Sequence, residues 1–320
     1  MADDLVNRVT ATTTSNFFKD FQDAVSKMAV EYWWAAKHGL FTYGLGGKDL
    51  QWRLRYQRGT PIGYSGGAEA QTFAVRNDYL TMTLGWRGVA HGIVITKQES
   101  WECKGKQEII KLVPTLIADM KDDLLDRFGT DFYGSGTGLS SKTFHGLAAS
   151  IGSGLNLTYA GQSQSTYSAL QNQAIDGAGF SADPIAKFRS LKIACAKGQR
   201  GGRSRNQLDI FLCHSDEFET TLNHEDAKRS YVENSEMAEA GFENIVVCGT
   251  PLAWSEYATA DTIFGLNSNL FEFPCATEQL FEADSEWTPG LPKLWLSYGL
   301  SHFNMLNKNP RGSGLIYSIT

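Results

Sequence analysis

Apolar and polar residues alternate strictly over Gln51–Gln57, with Trp52, Leu54 and Tyr56 on one face and Arg53 and Arg55 on the other. The same period of two returns over Tyr79–Lys97 through Leu80, Met82, Leu84 and Trp86, and continues as VAHGIVIT. Such alternation predicts antiparallel strands that are apolar on one side only. The intervening RGTPIGYSGGAEA carries the Pro and Gly residues of a turn or mobile tip. The first strand spans about 23 Å at the usual rise per residue, so the pair makes a long arm. A lone two-stranded ribbon is marginally stable in water, so this one needs a surface to lie on.

Helical spacing dominates elsewhere. Over Asn16–His38, Phe17, Phe21, Val25, Met28 and Tyr32 recur at three or four, and Gly39 and Gly44–Gly47 then break the pattern. A packed helix and a terminal arm docked on a neighbour share this periodicity. Lys106–Phe128 is the clearest helix: Ile109, Val113, Leu116, Ile117, Met120, Leu124 and Phe128 form one stripe, with Lys111, Asp119, Asp122, Asp123 and Asp126 on other faces. It would be roughly 35 Å long, and Pro114 predicts a kink or a start nearby. The glycine-rich GTDFYGSGTGLSSKTFHGL that follows reads as a loop. Asp183-Pro184 reads as an N-cap with Pro at the first helical position, leading into IAKFRSLKIACA. Asp209–Cys213 is an apolar strand, and Ser215 is placed to cap the helix DEFETTLN. Short strands follow: IVVCG, PLAWSE, TIFGLN, LFEF, LPKLWLSYGLSHFNMLN and GLIYSIT.

At 320 residues the chain can bury a large core. Its 42% hydrophobic and 20% charged composition is globular. The net charge of −6 argues against tight phosphate binding, although a wall around a polyanion would tolerate it. No apolar run is long enough to span a membrane, and Met1–Thr10 has no secretory pattern, so a soluble protein made in a cytosol is expected. The five cysteines, Cys103, Cys195, Cys213, Cys248 and Cys275, are scattered singly, which fits reduced and mostly buried thiols.

Four features invite a chemical reading. Cys213 and His214, with His224, suggest a metal, but strand neighbours point to opposite faces and a fourth ligand is missing. Gly134–Gly138 resembles a phosphate cradle, yet it lacks the Lys-Ser/Thr of a P-loop and follows a helix. Gly63-Tyr-Ser-Gly-Gly67 matches the nucleophile elbow of a serine hydrolase acting through Ser65, but WRLRYQR is not the buried strand that motif requires, and Pro61 interrupts the approach. The basic loop Lys197–Arg205, with Arg200, Arg203 and Arg205, suits either DNA phosphates or plain solvation. His91 and His302 fall in strand patterns without an acid at a helpful spacing. No cofactor, metal or catalytic residue is assigned.

The element order is terminal arm, ribbon, long helix, glycine loop, mixed α/β region and closing strands. This order resembles the major capsid proteins of tailed bacteriophages. Asp123–Ile151 is similar to the end of that family's spine helix and the loop after it. Met237–Glu256 is similar to the helix and strand of its A-domain. Leu296–Ile319, with Asn309-Pro310-Arg311 in a turn, resembles its closing P-domain strands. The resemblance implies an α+β capsid fold with a long spine helix, an extended β-hairpin E-loop and a mixed α/β A-domain. The divisions implied are 1–47 as N-arm, 48–98 as E-loop ribbon, 99–165 plus 296–320 as P-domain, and 166–295 as A-domain.

It further implies no enzyme, but a subunit that assembles with itself into hexamers and pentamers. The icosahedral shell would enclose double-stranded DNA through weak, non-specific contacts. Portal and scaffolding proteins are the other partners, and no membrane is involved. The location is the virion capsid, assembled in the host bacterial cytoplasm. Trp52, Arg53, Leu54, Arg55, Tyr56, Trp86, Asn309, Pro310 and Arg311 are the assembly contacts expected, with the ribbon's apolar face lying on an adjacent subunit. Residues 49–96 contain no lysine, so the covalent lysine cross-linking of some family members is not expected there. The short region before the ribbon implies that any scaffolding protein is separate. A serine hydrolase, or a tail-tube or minor shell component, is the alternative.

Overall fold

The computed structural model describes residues 30–57, 77–96, 123–124, 126–197, 207–224, 237–238, 241–278, 282–287 and 294–319. Helix α1 (Val30–Lys37) is the described part of the predicted N-terminal helix, and it buries Tyr32, Trp34 and Ala35. Gly39 ends it at φ 61°, a left-handed conformation that costs glycine little. Strand β1 (Phe41–Thr42) follows. The ribbon is β2 (Asp49–Arg55) with β3 (Tyr79–Gly85), antiparallel, with Trp52 opposite Met82 and Leu54 opposite Leu80. Strand β4 (Arg87–Thr96) then leaves the ribbon.

Residues 126–133 form helix α2, the described end of the long predicted helix; Pro114 and the tip at 58–76 lie outside the described residues. The helix runs on past Phe128, where a glycine loop was expected. The reason is tertiary. A side chain at Gly129 would fall inside the Tyr257 ring, so this glycine permits a close approach and does not break the helix.

Next come the hairpin β5 (Thr158–Tyr159) and β6 (Gln162–Ser163), then β7 (Gln173–Asp176) and α3 (Pro184–Lys197). Asp183 caps α3 as expected, its Oδ1 accepting from Ala186 N at 2.9 Å. Strand β8 (Ile210–Cys213) leads into α4 (Ser215–Asn223). Here the cap is His214, not Ser215: its imidazole accepts from Asp216 N, and Ser215 is already the first helical residue. The remaining strands are β9 (Asn244–Val247), β10 (Thr250–Trp254), β11 (Thr262–Leu266), β12 (Phe271–Pro274), β13 (Glu282–Trp287), β14 (Leu294–Phe303), β15 (Leu306–Asn307) and β16 (Gly314–Tyr317).

Six strands form one sheet in the order β7-β16-β11-β8-β10-β9. Ile210, Leu212, Phe264 and Leu315 join one core, which includes α1, α2 and β12. Phe211, Cys213, Ile263 and Ile316 join a second, against Phe188 and Leu191 of α3 and Phe218 of α4. Burial on both faces explains the near-continuous apolar runs IFLC and GLIY. It also places β16 inside this sheet, between β7 and β11. Strand β4 pairs along its full length with β14, and β14 with β13. A small sheet, β1-β12-β15, closes the core beside α1.

Candidate assembly interface

The ribbon's two faces have different fates. Met82 and Leu84 are buried and Trp52, Leu54 and Leu80 half-buried, against Tyr159, Tyr167, Leu170 and Leu306. The Trp52 ring sits 6.2 Å from that of Tyr159, and its Nε1 donates to the Lys308 carbonyl at 3.2 Å. The Tyr56 and Tyr167 rings meet edge-on at 5.3 Å. The outer edge of β3 is also held: Thr83 N donates to Ala160 O at 3.1 Å, and Gln162 Nε2 to Thr81 O at 3.1 Å. The expectation that the apolar face lacks a partner within its own chain is therefore corrected. The partner comes from short segments far along the sequence, which show no periodicity.

The other face is open. Gln51, Arg53, Arg55, Tyr79 and Thr81 are exposed, with Tyr79 57% accessible. Arg55 pairs with Asp78 at 3.3 Å, an exposed contact of small energetic weight. Tyr56 N donates to Asp78 O, so even positions of β2 point their backbone at β3. The backbone groups of Gln51, Arg53 and Arg55 face away, and no described strand pairs with that edge.

The predicted Asn-Pro-Arg turn belongs to the same neighbourhood. Pro310–Gly312 forms a single 3-10 turn with Pro310 buried and Arg311 exposed; Asn309, half-buried, precedes it in extended conformation. The turn touches the Ser168–Leu170 segment, and Lys308, two residues before Pro310, receives the Trp52 indole. Thus the structure brings Trp52, Leu54 and Tyr56 close to the 308–311 stretch, through the seat they share. Trp86 is tied separately, donating through Nε1 to Gly47 O at 2.8 Å.

Buried polar contacts missed in the sequence stiffen the seat. Asn307 N donates to Tyr159 Oη at 2.8 Å, and Asn307 Nδ2 to Ser150 Oγ at 3.1 Å. Burial pushes the Tyr159 phenol up, so it stays neutral. Lys308 pairs with Glu272 at 2.6 Å, and Thr42 Oγ1 donates to the same carboxylate at 2.9 Å. Burial opposes the Glu272 charge, but the Lys308 and Thr42 contacts outweigh it and hold the carboxyl below its usual range.

Two of the four features that invited chemistry, the Gly134–Gly138 loop and the Cys213, His214 and His224 group, have structural uses. Gly134–Gly138 folds back over the end of α2. A side chain at Gly146 would overlap the carbonyl oxygens of Asp131, Phe132 and Gly134. Arg127 and Asp131 form a two-pronged pair at 2.8 Å beside that loop. Cys213 is fully buried, His214 caps α4, and His224 Nε2 contacts Ala182 O at 2.9 Å. Among the described residues no group of His, Cys, Asp or Glu is arranged to hold a metal. Burial pushes the Cys195 and Cys275 thiols up to about 12. His91, expected to lack an acid, has Asp123 Oδ2 2.9 Å from its Nε2; only the folded chain brings them together.

Ser65, Cys103, Arg200, Arg203 and Arg205 lie outside the described residues. The strand leading toward Ser65 is nonetheless half-exposed and pairs antiparallel with β3, so the hydrolase reading is not supported. No helix among the described residues is long and apolar enough to cross a membrane.

No protein-family model and no curated protein sequence matches the chain. Solved structures do match in fold. The capsid subunit of cyanophage A-1(L) is 17% identical, with 89% of this chain and 92% of that chain covered and a TM-score of 0.65. The capsid of a native GTA particle gives 11% identity, 89% and 90% coverage, and a TM-score of 0.58. The capsid of Myoviridae phage XM1 gives 11%, 88% and 90%, and 0.56. The chain thus has a mixed α+β architecture spanning nearly its whole length, and it is the fold of tailed-phage capsid subunits.

Proposed function

We propose that this chain is the major capsid protein of a tailed bacteriophage, a structural subunit that assembles with itself into an icosahedral shell around double-stranded DNA. The observation that carries the reading is the fold likeness to phage capsid subunits over about nine-tenths of both chains. The ribbon geometry supports it. Its apolar face is fixed to its own subunit, and its open edge and its arginine face remain available. In this reading residues 1–47 are the N-arm, 48–98 the E-loop, 99–165 plus 296–320 the P-domain, and 166–295 the A-domain.

Arg53 and Arg55 meet a neighbouring subunit in the shell. Trp52, Leu54, Tyr56 and Trp86 set the ribbon's posture, and the turn at Asn309, Pro310 and Arg311 borders the same contact. Hexamers and pentamers are the assembly units, with portal and scaffolding proteins as partners. The DNA is enclosed through weak, non-specific contacts, and assembly takes place in the host bacterial cytoplasm. Size-exclusion chromatography and negative-stain microscopy of the chain, expressed alone and with candidate scaffolding proteins, test this. Capsomers or rounded shells are expected. A chain that stays monomeric under every such condition would overturn the proposal.

A further inference from the structure

Where β3 passes into β4, the ribbon meets the rest of the chain around a buried amide. Gly85 ends β3 and Arg87 begins β4, so Trp86 alone joins the ribbon to the long β4–β14 pair. Asn304 follows β14 and is fully buried there. Its Nδ2 donates to Gly85 O at 2.8 Å. Its Oδ1 accepts from His145 N and Met305 N, both at 2.9 Å. Nδ2 also lies 3.0 Å from His145 Nδ1. The Asn304 backbone N–H is bound to Pro274 O at 3.3 Å, fixing the residue to the end of β12. One side chain therefore ties the pivot to the segment after α2 and to the close of β14. Since odd positions of β3 turn their backbone away from β2, the Gly85 carbonyl has no partner on that strand.

We propose that Asn304 is a positioning residue that sets the direction in which the ribbon leaves the body, through its hydrogen bond to the Gly85 carbonyl. The consequence for assembly rests on the capsid reading; the clamp itself does not. Among the described residues, the ribbon root has no other side-chain hydrogen bond of comparable burial. Trp86 Nε1 to Gly47 O is half-exposed and joins the ribbon only to its own approach. A buried asparagine that is merely satisfied would stabilise the whole chain evenly. A clamp on the pivot would act locally.

Asn304→Asp separates these. The carboxylate still accepts from His145 N and Met305 N but has no hydrogen to give Gly85 O. Hydrogen–deuterium exchange on the unassembled chain should rise about tenfold at the amides of 79–92, the equivalent of roughly 1.4 kcal/mol. The amides of β8 should stay at wild-type rates. Unchanged exchange at 79–92, or an equal rise in β8, overturns the proposal.

If Asn304→Asp gives no folded chain, Asn304→Ser breaks the same bond without burying a charge, because its shorter side chain withdraws the donor from Gly85 O. It should raise exchange at 79–92 and not in β8, and no local rise would count against a pivot held at this point. In the assembly arm, Asn304→Asp should give irregular particles where the wild type gives uniform ones, and uniform particles from the variant would contradict the positioning role. Failure of the wild type itself to assemble would count against the capsid reading and leave the exchange result to judge the clamp.

Discussion

Trp52→Ala tests whether the ribbon is seated on its own subunit. Trp52 is half-buried against Tyr159, and its indole N–H is spent on the Lys308 carbonyl. Truncating a fully buried Trp costs about 3–5 kcal/mol, so half-burial accounts for about 2 kcal/mol. The lost hydrogen bond adds about 1 kcal/mol, for a total near 3 kcal/mol. In a chain of this size that lowers the melting temperature by roughly 6 °C. Arg53→Glu, one residue along on the open face, should stay within about 0.5 kcal/mol of wild type yet block particle formation. Thermal and urea unfolding of the unassembled chains, followed by assembly trials, give both readouts. A Trp52→Ala chain that melts with wild type but cannot assemble would refute the intramolecular seat. It would return the apolar face to the neighbouring subunit.

Glu31 is fully buried, with Tyr133 Oη donating to its Oε1 at 2.7 Å, and burial raises its carboxyl above the ordinary value of 4.5. The folded chain therefore holds this proton to higher pH than the unfolded chain. Its contribution is complete below 4.5 and is lost as pH rises toward the folded value. Glu31→Gln keeps the acceptor for Tyr133, so its melting advantage over wild type should grow as pH rises from 4.5 and then level off; a constant difference contradicts this. Gly146→Ala forces a side chain into three backbone carbonyls and should cost at least about 1–3 kcal/mol in urea unfolding, whereas a neutral result would mean the loop sits elsewhere. Asp183→Ala removes the α3 cap and should cost about 1 kcal/mol, with Asp183→Ser recovering most of it.

Elements whose burial pattern follows from one local period were legible. β2 and β3 alternate because one face is covered and the other wet, and α3 announced itself through Asp183-Pro184. What covers the ribbon was not legible, because Tyr159, Tyr167 and Leu306 sit in segments too short to carry a period. Gly129 read as a helix breaker because the Tyr257 ring that demands it comes from another part of the chain. The same holds for His91 with Asp123 and for Asn304 with Gly85, pairs that only the fold brings within hydrogen-bond reach. Strands β4, β14 and β16 were each visible as apolar runs. Their partners were not: β4 lies on β14, and β16 lies between β7 and β11.

Single-particle cryo-electron microscopy of purified assemblies decides whether the chain builds closed shells through its ribbon. Icosahedral particles are expected, in which the Arg53 and Arg55 face of each ribbon lies against an adjacent subunit while Trp52 keeps its place on Tyr159. Open tubes, or shells whose ribbons touch no neighbour, would contradict it.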